Sequence, residues 1–146
     1  MILLDTNVVS EAFRAKPSGT VIRWMDRHFT DCALSTISVF ELGVGVAQMP
    51  SGHRRDILNS AIGRLVQRFG PRLYAFDLRA AESAGRLWET SRQRGLSLHQ
   101  GPGKMADLQI GAIASAYALT LATRNTRDFA GLDLVLIDPW TAEPNS

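Results

Sequence analysis

The chain carries a single cysteine, Cys32, among 146 residues, so an intrachain disulfide and a cysteine-based zinc centre are both excluded. Lysine is nearly as scarce. Only Lys16 and Lys104 are lysines, and the other fourteen of the sixteen basic residues are arginine. A coding bias of the genome explains that excess first, and the planar guanidinium fork that suits phosphate explains it second. Long apolar runs are lacking too. The most continuous one, from Ile110 to Ala122, is interrupted by Ser115, Tyr117 and Thr120 and falls short of the ~20 residues of a membrane span. No basic region precedes the short apolar run at the amino terminus, so no secretory leader is expected and a cytoplasmic location follows by default. A net charge of only +2 selects no class of partner. With 45% hydrophobic and 21% charged residues, the expectation is one soluble domain over residues 1–140 and a polar, frayed tail at 141–146.

What is present is an alternation of short apolar runs with helical patterns. Met1 to Leu4 has no polar alternation, as in a strand buried on both faces, and runs into Asp5, Thr6 and Asn7. Further strands are expected at Cys32–Ile37, Leu73–Phe76, Leu119–Thr123 and Leu134–Ile137. Helices are expected at Thr6–Arg14, Val21–Phe29, Ser38–Met49, Arg54–Phe69, Ala80–Arg94 and Lys104–Ala118, with a short turn or helix at Asn125–Phe129. Asp77 reads as a helix cap, Gly95 as a left-handed stop, and Gly70-Pro71 as a break. Strands alternating with helices imply an α/β fold whose parallel sheet is covered on both faces.

In such a fold each helix begins at the carboxyl edge of the sheet, where ligands bind. Asp5 ends the first strand, Glu41 falls in the first turn after the second, Asp107 opens the helix before the fourth, and Asn125 follows the fourth. If the second and fourth strands flank the first, these side chains face one crevice. Taken alone, Asp5 reads equally well as a helix cap. Two ionised carboxylates ~4 Å apart repel by ~4 kcal/mol at an effective dielectric of about 20, so a cluster calls for a cation or raised pKa values. Oxygen donors alone favour Mg²⁺ or Mn²⁺ over zinc.

Other signals are weaker. His28, His53 and His99 lack metal spacing, and Gly43 and Gly45 give only a fragment of a dinucleotide-binding pattern, better read as close helix packing. Trp24, Trp88 and Trp140 read as core or interface residues, or as a platform on which an RNA base stacks. Arg54, Arg55, Arg64, Arg68 and Arg72 line one helix and its exit, Arg92 and Arg94 close another, and both groups read as solvated faces before phosphate contacts. A haloacid-type phosphatase would need a second acid two residues after Asp5, where Asn7 stands.

The opening MILLDTNVVSE, the stretch STISVFELGVGV, the segment KMADLQIGAIASAYALTLATRNTRDF and the closing VLIDPW resemble the PIN-domain ribonucleases, nearest to the VapC or FitB-like toxins of toxin-antitoxin pairs. The resemblance covers nearly the whole chain. It implies a three-layer α/β/α fold with a five-stranded parallel sheet whose central strand is residues 1–5. It also implies a Mg²⁺- or Mn²⁺-dependent endoribonuclease, dimeric, held inactive by a small DNA-binding antitoxin in a complex on operator DNA. Asp5, Glu41 and Asp107 fall on the family's acidic positions, as metal ligands and catalytic residues. The fourth position, an Asp in many members, is Asn125, which brings no charge. That departure leaves open a weak or inactive RNA-binding or antitoxin-binding protein. Asp128, three residues on, is a further candidate ligand, although it reads first as a local cap. Thr6 and Thr123 resemble hydroxyl positions beside the cluster, and Arg124 is a candidate contact to substrate phosphate.

Overall fold

The computed structural model describes residues 1–142, so most of the tail expected at 141–146 lies outside the described residues. Five strands form one sheet: β1 (Ile2–Leu4), β2 (Cys32–Ser35), β3 (Leu73–Tyr74), β4 (Thr120–Ala122) and β5 (Leu136–Ile137). Their order is β3-β2-β1-β4-β5 and every pairing is parallel. The strand that begins the chain is therefore central, flanked by the second and fourth as the convergence of the acids requires. Among the described residues seven α-helices accompany them: α1 (Thr6–Ser10), α2 (Gly19–His28), α3 (Thr36–Ala47), α4 (His53–Phe69), α5 (Leu78–Gln93), α6 (Met105–Ala116) and α7 (Thr126–Phe129).

Successive residues of a strand point to opposite faces, and β1 shows why its apolar run has no polar alternation. Leu3, paired with Ala33 and Leu121, enters a core built with Leu87 of α5 and Ile110 and Ile113 of α6. Leu4 enters a second core with Val8 of α1, Trp24 of α2, Leu34 and Phe69 of α4. Both residues are at most 2% exposed, so both faces of the sheet are covered and the architecture is three-layered. Gly111 lets α6 approach the buried Phe129 closely, because a Cβ there would lie 2.9 Å from that ring. The packing anchors α7, and with it Asn125 and Asp128, to the sheet.

Several boundaries differ from the expectation. Ser35 ends β2 two residues early, because its Oγ accepts the Ser38 N–H at 3.0 Å and starts α3 at Thr36. A local cap thus overrides the strand propensity of Thr36 and Ile37. Glu41 consequently sits in the second turn of α3 rather than the first. Gly43 and Gly45 are not close-packing positions; both are exposed, and nothing lies within 4 Å of a Cβ added there. Gly95 does stop α5 in the left-handed region at φ +68°, with Leu96 N–H donating to Ser91 C=O at 2.8 Å and Gly95 N–H to Arg92 C=O at 3.3 Å. Asp77 caps α5 by accepting the Ala80 N–H at 2.9 Å.

Candidate active site at the carboxyl edge of the sheet

Asp5 is both cap and candidate ligand. Its Oδ1 accepts the Val8 N–H at 3.1 Å, while Oδ2 accepts the Thr123 hydroxyl at 2.5 Å across the β1–β4 pair. The Asn125 N–H in turn donates to Thr123 Oγ1 at 3.0 Å, so the turn after β4 is fixed to the same carboxylate. Asp5 is 2% exposed. Burial raises its pKa above the ordinary carboxylate value, the hydrogen bonds from Thr123, Val8 and Asn7 oppose that rise, and the charge of Glu41 adds to it.

Glu41 is held by a chain of hydroxyls. Thr6 Oγ1 donates to Glu41 Oε1 at 2.5 Å, and Thr6 Oγ1 lies 2.9 Å from Ser38 Oγ. A hydroxyl has one proton, so the Ser38 hydroxyl must donate to Thr6. Ser35, which accepts the Ser38 N–H, donates to Ser38 Oγ at 3.3 Å. The polarity is thereby set from Ser35 through Ser38 and Thr6 to the carboxylate. Ser35 and Ser38 are fully buried, and Glu41 is half-buried at the end of the chain.

Asp107 lies in the first turn of α6. Its pKa is pushed up to about 6, first by burial, then by the charges of Asp5 and Asp128, with Lys104 opposing and Glu41 adding. Asp128 is not the local cap expected of it. Its Oδ1 accepts the Ser97 hydroxyl at 2.7 Å and its Oδ2 pairs with Lys104 Nζ at 3.1 Å, which ties the 96–104 loop to α7. Burial raises the Asp128 pKa, but the Ser97 and Lys104 bonds outweigh that and leave it below the usual value. Asn125 occupies the N-cap position of α7 without a side-chain cap bond. Arg124 is exposed, its guanidinium 5.1 Å from the centre of the Trp140 ring.

Ser35, Ser38, Ser97 and Lys104 are the residues that sequence reasoning missed. The Ser-x-x-Ser spacing at the strand-to-helix junction was a readable capping signal for the first two. No local signal joins Lys104 and Ser97 to Asp128, 24 and 31 residues away.

The donors fit a hard divalent cation in kind: oxygen ligands only, two of them with raised pKa values that a positive charge would relieve. Among the described residues no three His, Cys, Asp or Glu side chains are drawn together at ligating distances. Hydrogen bonds hold Asp5 and Glu41 where they are.

A family model described as the PIN domain matches residues 2–134. The chain is 40% identical to the plasmid stability protein StbB of Pseudomonas syringae pv. tomato, over 97% of this chain and 100% of that one. It is 38% identical to the VapC ribonuclease Y4jK of Sinorhizobium fredii, over 96% and 98%. Toxin FitB of Neisseria gonorrhoeae is 34% identical over 96% and 99%, and the crystal structure of FitAcB from that organism superposes with a TM-score of 0.87 at 33% identity, over 97% and 100%. With the parallel sheet, the acids at its carboxyl edge and these likenesses in agreement, the chain belongs to the PIN-domain family, among its VapC and FitB-like toxins.

Proposed function

We propose that this protein is a metal-dependent endoribonuclease that hydrolyses RNA phosphodiester bonds as the toxin of a toxin-antitoxin pair. The observation that carries the reading is the placement of Asp5, Glu41 and Asp107 on adjoining elements at one sheet edge, where burial raises the pKa of both aspartates, the charge of Glu41 adds to the rise at Asp5 and the charge of Asp5 to that at Asp107. Asp5 and Asp107 would hold Mg²⁺ or Mn²⁺, with Glu41 completing the acidic set. Such an ion polarises phosphate oxygens and lowers the pKa of water.

The chain's own groups do the positioning. Thr123 and the Val8 N–H fix both oxygens of Asp5, leaving its remaining lone pairs for the crevice. Thr6 fixes the position of Glu41 by donating to its Oε1, and that carboxylate orients the attacking water. Asn125 contributes a neutral amide where a fourth charge would stand, and Asp128 keeps its negative charge compensated by Lys104. This set therefore presents three charges rather than four to cation and substrate.

As partners we propose RNA as substrate, a second copy in a homodimer, and a small antitoxin whose own DNA-binding part carries the pair to operator DNA. Purified, antitoxin-free protein should cleave RNA with added Mg²⁺ or Mn²⁺ and stop on chelation. Asp5→Asn should lower the rate by more than the 10–100-fold typical of losing a residue that merely supports a ligand, with the fold intact by circular dichroism. Undiminished cleavage by Asp5→Asn would sink the assignment. Persistent inactivity of the parent on several RNAs would favour a binding protein weakened by the neutral Asn125.

A further inference from the structure

Arg124, expected from the sequence to contact substrate phosphate, is the cation nearest in sequence to the Asp5–Thr123 pair, and none of the site contacts described above involves it. It follows Thr123 directly, it is exposed, and no described carboxylate forms an ion pair with it. What occupies it instead is the Trp140 ring, 5.1 Å from Cζ.

The ring is itself built into the fold. Thr123 N–H donates to Ile137 C=O at 2.9 Å, so β5 runs beside β4 up to the sheet edge. Beyond it, Asp138 Oδ1 accepts the Trp140 N–H at 2.9 Å and Asp138 C=O accepts the Thr141 N–H at 3.2 Å, which closes a turn. Trp140 then packs against the core that contains Leu4 and Ala122. The result is an aromatic surface anchored in the fold, with the Arg124 guanidinium over it at the end of β4 that carries Thr123. A guanidinium stacked on a ring keeps its N–H groups in the plane, directed outward, in the fork that matches a phosphate.

We propose that Arg124 binds a backbone phosphate of the RNA strand next to the one cleaved, and that Trp140 is the residue positioning it. The inference rests on the ribonuclease reading. Its chemistry is sequence-independent, since a phosphate contact fixes the strand without reading a base.

Binding of a fluorescein-labelled single-stranded RNA to the Asp5→Asn protein, followed by anisotropy across a KCl series, separates the possibilities. One lost phosphate contact flattens the slope of log K against log[salt] by about 0.7 for a single strand, equivalent to about fivefold in affinity at 0.1 M salt. Arg124→Gln and Trp140→Leu should each show that loss in the Asp5→Asn background, and Trp140→Phe, which keeps a ring under the cation, should restore the parental slope. An unchanged slope in Arg124→Gln overturns the phosphate contact. A reduced slope in Arg124→Gln with a parental one in a folded Trp140→Leu overturns the positioning role. If Trp140 served packing alone, Trp140→Leu would lower the melting temperature and leave the slope untouched, and Trp140→Phe keeps the test decisive should the Leu variant not fold. No RNA binding by the Asp5→Asn protein at any salt concentration would instead remove the ribonuclease reading, and this inference with it.

Discussion

The carboxyl edge of the sheet and the exit of α4 are both dense in charge, yet their charges stand in opposite states. At the exit of α4, Arg72 donates to the carbonyls of Phe29 and Cys32 and lies 4.8 Å and 5.1 Å from the ring centres of Phe29 and Phe69, while Arg68 lies 4.3 Å from Phe29. At the sheet edge, Asp5 is buried and Asp107 half-buried, and both face other negative charges. A charge whose partners are all supplied by the fold stabilises it. A charge that the fold leaves opposed by its neighbours is held there at a cost, and that cost marks the place where a ligand of opposite sign acts.

The comparison breaks most visibly if Arg72 is a substrate contact after all. Arg72→Met removes charge-assisted bonds to two carbonyls, each worth about 1.5–3 kcal/mol, although the half-buried position softens the loss. Urea unfolding should show a stability loss of about 3 kcal/mol. The salt slope of RNA binding should not move, in contrast to Arg124→Gln. A change in slope without a loss of stability would exchange the roles assigned to the two arginines.

The hydroxyl chain to Glu41 sharpens the other side. Thr6→Val keeps the shape and deletes the proton donated to Glu41, so affinity for Mn²⁺ measured by calorimetry should fall about tenfold, or ~1.4 kcal/mol, as for other residues that orient a ligand. Thr6→Ser should retain most of it. Equal affinity in all three proteins would reduce Thr6 to a helix residue.

Much of this was legible in the sequence because it depends on period and position. An unbroken apolar run means a strand covered on both faces, and the alternation of strands with helices puts Asp5, Glu41 and Asp107 at one edge whatever the loop lengths. The resemblance to a family added the central place of the first strand, which the order β3-β2-β1-β4-β5 bears out. Less legible was anything decided by one side chain choosing among partners. Ser35 moved the start of α3 by capping it, Asp128 turned to Lys104 and Ser97 rather than to its own helix, and Gly43 and Gly45 faced open space where packing was expected. Glu11 makes the same point from the other side. It is 3% exposed and answered by the Ser18 N–H at 2.7 Å and by Arg14 at 3.4 Å, so a buried acid of the opening motif belongs to the scaffold and not to the site.

The smallest expected effect is a stability change at Asp107, and its sign is opposite to that of a carboxylate compensated by the fold. Its pKa of about 6 in the folded protein lies above the ordinary 3.8, so between those values the native state binds the proton that the unfolded chain releases. Without divalent cation, stability therefore rises as pH falls from 7 through 6 toward 4, the reverse of a salt-bridged acid. Solvent screens a half-exposed group, which limits this contribution to about 1 kcal/mol. Asp107→Asn should be the more stable protein at pH 7, and its stability should be flatter between pH 4 and 7 than that of the parent. Saturating Mg²⁺ should stabilise the parent above pH 6, where Asp107 is ionised, and do little for the variant. If thermal unfolding instead shows Asp107→Asn destabilised at pH 7 without cation, the carboxylate is compensated by the fold as Arg72 is, and the distinction between the two regions fails at its central residue.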